Sequence, residues 1–450
     1  MSPPPAALAA DFPLLRWSPP VPVKRRRLAA LGPLLLGPGV LAMLGENDGP
    51  SMLSYATSGA SYGLGFFLPF ILVTFAAAYC VQEMAMRLGV ASGRGYGELM
   101  FQRFGRGWGW ISAVDLILTN LVTLVTEVIA IRLGMGFFGI PAWVAVVFAV
   151  LLVAGGAATG RYARWERVAA GLALFNLAFV AVALLARPDP GAITHALTSW
   201  DAPKGAGAGD FLMMVASTIG ATVTPWMLFF QQSATVDKGL SGPGTSGEAA
   251  IRTGRLNTAM GAVLAAIAGG GALVAATPLF TQHIDMAAYL QGGGFAQALS
   301  PLIGRTGAAL FALGLIEAGA VAMLTISASG AYAVGEMVAG AVCSFDAGPR
   351  RAPLFHAVNV GTALVAGLVV LIPGAPLMDI VMNANLLATI LMPAALVFLL
   401  ILANDPVVMG AHVNGRLTNM AGIAITVAVT LAGGAYAVVA FLDTVGLHVL

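Results

Sequence analysis

The chain has 450 residues, of which 58% are hydrophobic and only 9% are charged, and its mean hydropathy is +0.88. Soluble domains carry about 25% charged residues, so this composition excludes a string of soluble domains and predicts an all-α polytopic membrane protein. The 22 basic and 20 acidic residues nearly cancel, and the net charge therefore gives no indication of a nucleic-acid partner. Cys80 and Cys343 lie far apart in apolar surroundings, so neither a disulfide nor a metal framework is expected.

Eleven apolar stretches are long enough to cross a bilayer. We predict them at 33–63, 65–88, 109–135, 141–158, 167–186, 210–236, 255–278, 306–338, 355–373, 376–403 and 418–442. The lipid bilayer is therefore the expected surrounding of the chain.

The basic residues predict the direction of these spans. If the run Lys24–Arg27 is cytoplasmic, eleven crossings place 18 of the 22 basic residues on the cytoplasmic side, as the positive-inside rule requires. We therefore expect a cytoplasmic tail at 1–28, a transmembrane domain at 29–450 in the inner (plasma) membrane, and a C-terminus outside the cell.

Helix-breaking and polar residues interrupt the first span. Glu46, Asn47 and Asp48 precede Gly49 and Pro50 in the middle of the apolar stretch. Such residues are costly on a lipid-facing helix, but they are tolerated where unwound backbone lines a cavity. An external loop is the alternative, but 52–63 is too short to cross the membrane alone.

The sixth span repeats this pattern, with Gly220 and then Pro225 near its centre. Spans one to five (about 33–186) and six to ten (about 210–403) then form two halves with interrupted helices in first position, followed by an extra helix at about 418–442. An odd number of spans inverts the second half in the membrane. Paired broken helices in inverted halves predict a LeuT-type 5+5 fold with a substrate site near the membrane midplane.

Several stretches together resemble the Nramp family of divalent-metal transporters. They cover most of the first ten spans. They are Gly37-Pro38-Gly39, Asp48-Gly49-Pro50-Ser51, the segment from Gln82 to Glu98, Gly220-Ala221-Thr222-Val223-Thr224-Pro225, and Gly314-Leu315-Ile316-Glu317-Ala318-Gly319. The second of these occupies the place of the family's Asp-Pro-Gly-Asn motif, and the fourth that of its sixth-helix motif, which normally ends Met-Pro-His.

The resemblance implies a metal site that departs from the family pattern. Ser51 replaces the motif asparagine, Thr224 the methionine, and Trp226 the following histidine, while Gln231 stands in place of a second histidine. In the third span the family's pair of acids is reduced to Glu127. The metal ligands implied by the resemblance are Asp48, Ser51, the Ala221 carbonyl, Thr224 and Asn385.

These departures replace soft and titratable groups with oxygen. Loss of a thioether removes a ligand that favours transition metals, and an all-oxygen site suits Mg²⁺. Loss of central histidines argues against proton coupling. The pattern is similar to the Nramp-related magnesium transporters, which implies Mg²⁺ transport, with Mn²⁺ also carried, uncoupled from protons. The alternatives are a proton-coupled Mn²⁺/Fe²⁺ transporter that uses Glu127 or Glu46, and, more distantly, a cation channel.

Other polar residues have two interpretations each. Glu46 and Asn47 either add oxygens around the ion or bond freed backbone amides, and Glu127 is either functional or bonded to a neighbouring helix. The Trp226 side chain either forms part of the cavity wall or simply packs against neighbouring helices. Gln231 and Glu317 are candidates for the ion pathway.

Enzyme interpretations lack their residues. The sequence has no HExxH and no Walker-type loop. Gly207-Ala208-Gly209-Asp210 spells the GxGD pattern of intramembrane aspartyl proteases without the Tyr-Asp partner that this chemistry needs. We therefore expect no enzyme activity, no cofactor apart from the transported ion, and no obligate protein or nucleic-acid partner.

Overall fold

In a computed structural model of the protein, the described residues are 37–203, 207–241, 247–282, 294–338 and 341–444. The predicted cytoplasmic tail, with its run Lys24–Arg27, lies outside them, as does Lys204. Within the described ranges the chain is helical and contains no strand.

The main helices are numbered in chain order. They are α1 (Pro38–Gly45), α2 (Gly49–Tyr62), α3 (Phe67–Ser92), α4 (Tyr96–Phe137), α5 (Ala142–Ala158), α6 (Tyr162–Ala173), α7 (Ala178–Leu185), α8 (Pro190–Ser199), α9 (Ala208–Gly220), α10 (Pro225–Asp237), α11 (Gly247–Thr281), α12 (Gly294–Met337), α13 (Gly348–Arg351), α14 (Pro353–Val370), α15 (Leu377–Ala403), α16 (Pro406–Met409) and α17 (Arg416–Thr444).

The number of crossings agrees with the predicted eleven. Among the described residues, 9 helical segments are long and apolar enough to span a membrane, and α6–α7 and α9–α10 each count as one of these segments. The shorter apolar helix α5 is a further crossing. The pair α1 and α2 together supply the remaining one, because each half alone is too short.

The helix bounds differ from the predicted spans at two glycines. Helices α4 and α12 begin well before the predicted starts at 109 and 306, and each is interrupted once, at Gly105 (φ 83°) and Gly304 (φ 75°). These positive φ values are readily adopted only by glycine. In each case a short helix precedes the bend and the membrane-crossing part follows it.

The fifth span has an interruption that the sequence analysis did not predict. A 3₁₀ turn at Leu174–Leu177 separates α6 from α7. The turn contains neither glycine nor proline, which are the usual signals of a break. It places Asn176, which is fully buried, inside the protein.

The two broken helices occupy the centre of the bundle. Every residue of α1 is buried, and α2 is buried over most of its length. Helix α11 packs against α1, α2 and α3, while α4 and α12 pack along each other. Large apolar side chains cover the outside of the bundle, for example Leu151 on α5 and Leu417 on α17, as expected of a lipid-facing surface.

Contacts near the helix termini define two ends of the bundle. At the arginine-rich end, Arg87 donates to the carbonyl of His412 at 2.6 Å and Lys238 pairs with Glu166 at 2.7 Å. At the other end, Phe211 on α9 packs against the rings of Phe66 and Phe67. The two helix breaks lie between these ends.

Candidate metal site

The break between α1 and α2 is stabilised by a helix cap. Asp48 is the N-cap residue of α2, and its Oδ1 accepts a hydrogen bond from the backbone N–H of Ser51 at 2.9 Å. Aspartate is a favoured N-cap, and proline is well tolerated in the first turn. The motif thus ends α1 and starts α2, and it holds a carboxylate at the positive end of the α2 dipole.

The break between α9 and α10 lies at residues 221–224, and Pro225 starts the second helix. The backbone N–H of Thr224 is bonded to the sulfur of Met227 at 3.3 Å. The Ala221 carbonyl accepts a hydrogen bond from the Tyr55 hydroxyl at 2.9 Å. One of the two acceptor positions of the Ala221 carbonyl is therefore used within the protein, and the other remains for a ligand.

A hydrogen bond joins the two breaks directly. The Thr224 hydroxyl lies 2.9 and 3.0 Å from the two carboxylate oxygens of Glu46. Because carboxylate oxygens only accept, the hydroxyl donates its proton to Glu46. The lone pairs of the Thr224 oxygen then remain available to a cation.

Helices α4 and α15 contribute two further groups to the first break. Glu127 on α4 accepts from the backbone N–H of Gly49 at 2.9 Å through Oε2. Asn385 on α15 donates through Nδ2 to the carbonyl of Pro50 at 3.2 Å. Glu127 thus binds a backbone amide freed by the break, at the first residue of the neighbouring helix α2.

Gly220 allows α15 to approach the second break closely. A Cβ atom at this position would lie 1.8 Å from the carbonyl oxygen of Asn385. Any larger residue would therefore separate α9 from α15. The glycine brings Asn385 toward both breaks.

The site is rich in negative charge and closed to solvent. Glu46, Asp48 and Glu127 are 0%, 1% and 0% exposed, and within the described residues none forms an ion pair with a basic side chain. Buried charges without partners are costly. The hydroxyl of Ser51 and the Oε1 atom of Glu127 also have no hydrogen-bond partner among the described residues.

These oxygens indicate the kind of ion that the site could hold. In the described part of the chain no three His, Cys, Asp or Glu side chains are arranged as a ready-made metal cluster. A bound ion would therefore also need neutral protein oxygens or water. Such mixed coordination is typical of Mg²⁺, which keeps several of its waters.

Two predicted residues belong to a different cluster. Asn47 donates through Nδ2 to Asn176 and to the Ala265 carbonyl, both at 2.9 Å. Asn176 in turn contacts Glu317. Asn47 and Glu317 are therefore linked through Asn176. Glu46, in contrast, accepts a hydrogen bond from Thr224.

Trp226 and Gln231 lie along α10 toward the arginine-rich end. The Trp226 ring lies beside Gly45, because a Cβ added at Gly45 would be 3.3 Å from the ring. The backbone carbonyl of Trp226 accepts a hydrogen bond from the Ser329 hydroxyl at 2.9 Å. Gln231 is buried five residues, or about 7.5 Å, further along the helix axis. Neither the Trp226 Nε1 nor the Gln231 Oε1 atom has a partner within the described ranges.

Three further buried polar residues were not predicted from the sequence as parts of the site. Tyr55 bonds the Ala221 carbonyl, Asn176 bonds Asn47, and Gln82 on α3 is fully buried with no partner for either amide atom among the described residues. For Asn176 a signal was present, because it is a single amide within an otherwise apolar stretch.

Both exits from the site are covered. On the side of the aromatic contacts, the hydroxyls of Ser54 on α2 and Ser217 on α9 lie 3.0 Å apart. On the arginine-rich side, α10 is bonded to α12 through Ser329 and through Tyr332, whose hydroxyl donates to Asp237 at 2.6 Å. The described residues therefore form an occluded arrangement around Asp48.

Comparison with known proteins gives one family. The Nramp family profile, described as natural resistance-associated macrophage protein-like, matches residues 39–439. A divalent metal cation transporter MntH from Deinococcus radiodurans is 28% identical over 404 residues, which covers 89% of this chain and 88% of that protein. The MntH protein from Erwinia tasmaniensis is 28% identical over 420 residues, with coverage of 89% and 93%.

Solved structures share the fold. A manganese transporter from Eremococcus coleocola, crystallised with an aromatic bis-isothiourea compound, superposes with a TM-score of 0.75 at 21% identity and covers 93% of this chain and 90% of its own. A Na⁺-coupled sialic acid symporter superposes with a TM-score of 0.51 at 13% identity, with coverage of 88% and 89%. These similarities confirm the predicted LeuT-type helical architecture.

Proposed function

Because this chain belongs to the Nramp family, and is therefore a multi-pass membrane transporter of divalent metal cations and not an enzyme, we propose that it transports Mg²⁺ and, as a second substrate, Mn²⁺. The observation that carries this proposal is the bond between Thr224 and Glu46, which leaves a hard hydroxyl oxygen facing the breaks. Hard oxygen ligands suit Mg²⁺ and Mn²⁺.

The proposed ligands are Asp48, Ser51, the Ala221 carbonyl, Thr224 and Asn385. Support comes from their burial at the two breaks and from the free hydroxyl of Ser51. The Ala221 carbonyl would use its second lone pair, since the first accepts from Tyr55. Water molecules kept by the ion would complete the coordination.

Glu46 and Glu127 surround this ligand set with further negative charge. Glu46 holds the Thr224 hydroxyl, and Glu127 holds the amide of Gly49 beside Asp48. Their role in the proposal is to orient ligands and to offset the charge of the dication. Trp226 and Gln231 line the route from the site toward the arginine-rich end.

Transport is proposed to proceed by alternating access without protons. The two halves at about 33–186 and 210–403 would rearrange around the ion, and the contact between Ser54 and Ser217 would open on one side. The arginine-rich end would face the cytoplasm from the plasma membrane. The membrane potential then draws the ion inward, because each elementary charge gains about 2.3 kcal/mol per 100 mV.

A proton-coupled Mn²⁺ transporter is the second candidate. It is favoured by the names of the relatives, which are divalent metal cation and manganese transporters. It is also favoured by Glu46 and Glu127, two buried carboxylates without a basic partner within the described residues. The occluded arrangement around Asp48 argues against the third alternative, an open channel.

The proposed site is tested by removing its central charge with little change in shape. Asp48→Asn in proteoliposomes should abolish Mg²⁺ and Mn²⁺ uptake, while the matched variant Asp115→Asn, on α4 away from the breaks, should retain it. Circular dichroism and size-exclusion profiles establish that both variants are folded. Mg²⁺ uptake by Asp48→Asn at the wild-type rate would contradict the proposed site.

A further inference from the structure

Five exposed arginines lie close together at the arginine-rich end of the bundle. Arg161, Arg164 and Arg167 lie at the start of α6, and Arg350 and Arg351 form the end of α13. Among the described residues, none of the five forms an ion pair with an acidic side chain. We refer to these five residues as the arginine patch.

The fold brings the two parts of the patch together. The backbone N–H of Tyr162, the residue after Arg161, donates to Oδ1 of Asp346 at 2.8 Å. Asp346 lies directly before the short helix α13 that carries the other two arginines. Helix α13 also packs against α5, which ends just before Arg161. The start of α6 and the end of α13 therefore form one surface.

The patch has an excess of positive charge. The segments 159–168 and 344–352 that carry it contain two acidic residues, Glu166 and Asp346. Glu166 is buried and pairs with Lys238 at 2.7 Å, so it does not neutralise the exposed arginines. Five guanidinium groups thus lie beside one exposed carboxylate. A guanidinium group binds phosphate through paired N–H donors.

Helix α6 places the patch at the boundary between lipid headgroups and acyl chains. After the arginines, its exposed positions become apolar, and Val168 and Phe175 are 51% and 41% exposed. Phe175 lies near the middle of the membrane-spanning segment Tyr162–Leu185. The eleven residues from Arg164 to Phe175 rise about 16 Å, and half of the hydrocarbon core is about 15 Å thick. Arg164 is therefore at the level of the lipid phosphates.

The opposite face of α6 is fixed inside the protein. Trp165 stacks on Phe345, with the ring centroids 4.8 Å apart, and Glu166 pairs with Lys238 directly after α10. The arginines of α6 therefore project from a helix whose position is already set. A ligand can bind them without first ordering the backbone, which lowers the entropic cost of binding.

We propose that the arginine patch binds the phosphate groups of anionic phospholipids in the adjacent bilayer leaflet. The phosphate accepts hydrogen bonds from the guanidinium groups, and the acyl chains lie along the exposed apolar positions of α6, such as Val168 and Phe175. A general excess of basic residues at one membrane face does not require five of them at one place without acidic partners. This surface is separate from the proposed metal site and does not depend on which ion is transported.

The test is lipid binding by the purified, delipidated full-length protein in detergent, measured by native mass spectrometry. The titrants are phosphatidylglycerol and phosphatidylcholine, whose choline group cancels the phosphate charge. The wild type should bind phosphatidylglycerol at least about tenfold more tightly than phosphatidylcholine. This preference should shrink as the salt concentration rises, because the attraction is between exposed charges.

Two triple variants that remove the same charge locate the binding surface. Arg161→Gln/Arg164→Gln/Arg167→Gln should lose the preference for phosphatidylglycerol. The matched control Arg106→Gln/Arg252→Gln/Arg416→Gln changes exposed arginines on α4, α11 and α17 and should keep the preference within about twofold. Size-exclusion profiles establish that both variants are folded.

Other outcomes overturn the lipid surface. Equal affinity of the wild type for the two lipids would refute it without any variant. An equal loss in the control variant would show that overall charge attracts the lipid. If glycerol 3-phosphate displaces phosphatidylglycerol at equal concentration, the patch binds a soluble phosphate instead. If the α6 variant does not fold, Arg350→Gln/Arg351→Gln tests the α13 part, and it should weaken phosphatidylglycerol binding at least about threefold.

Discussion

Replacing Thr224 by valine removes one hydroxyl while nearly preserving the side-chain volume. The change deletes the bond to both carboxylate oxygens of Glu46, at 2.9 and 3.0 Å, and one proposed oxygen ligand of the ion. A hydrogen bond to a charged group contributes about 1.5–3 kcal/mol. Since about 1.4 kcal/mol corresponds to a factor of ten, the KM for Mg²⁺ should rise about 10- to 150-fold.

The assay is Mg²⁺ uptake into proteoliposomes at several external concentrations, with Thr224→Ser as the control. Serine keeps the hydroxyl and should remain within about threefold of the wild type, a difference of about 0.7 kcal/mol. A KM for Mg²⁺ within twofold of the wild type in the valine variant would refute the reasoning. It would show that neither the Thr224 hydroxyl nor its bond to Glu46 contributes to ion binding.

Three further substitutions test other parts of the site. Thr224→Met introduces a soft thioether and should improve Cd²⁺ uptake relative to Mg²⁺; an unchanged ratio would show that this side chain does not face the ion. Gly220→Ala places a Cβ 1.8 Å from the Asn385 carbonyl oxygen. It should lower the free energy of unfolding by about 1–3 kcal/mol, measured as a fall in Tm, and should also reduce uptake. A wild-type Tm would contradict the close approach. Glu127→Gln keeps an oxygen acceptor for the Gly49 amide and should retain Mg²⁺ uptake with a raised KM; complete loss of transport would indicate that the carboxylate charge is essential.

The helix breaks were predictable because their causes are local. An N-cap aspartate followed by Gly49 and Pro50, and a proline at 225 after Gly220, end one helix and begin another wherever they occur in the chain. The same local logic explains why the fifth-span turn was missed. It contains no breaker, and its buried residue Asn176 is bonded to Asn47, far away in the sequence.

The pairing of polar groups could not be predicted from the sequence. Glu46 and Thr224 are 178 positions apart, and Tyr55 lies 166 positions from the Ala221 carbonyl that it contacts. Spacing within one helix predicts which residues share a face, but it carries no information on which face of another helix they meet.

The hydrophobic pattern predicted the crossings better than their ends. Apolar length alone identifies the membrane-crossing part of α4, but the helix extends to Tyr96 through a bend at Gly105. The first turns carry polar residues such as Glu98 and Arg103, so a hydropathy criterion excludes them although they are helical.

The central claim is that this member of the Nramp family moves a hard dication without protons. Uptake of Mg²⁺ and of Mn²⁺ into proteoliposomes that contain an internal pH dye, at a fixed membrane potential, tests it most directly. We expect Mg²⁺ and Mn²⁺ each to enter with no acidification of the interior. Mn²⁺ entry accompanied by acidification, with no Mg²⁺ entry, would contradict it and would make Glu46 or Glu127 the proton carrier.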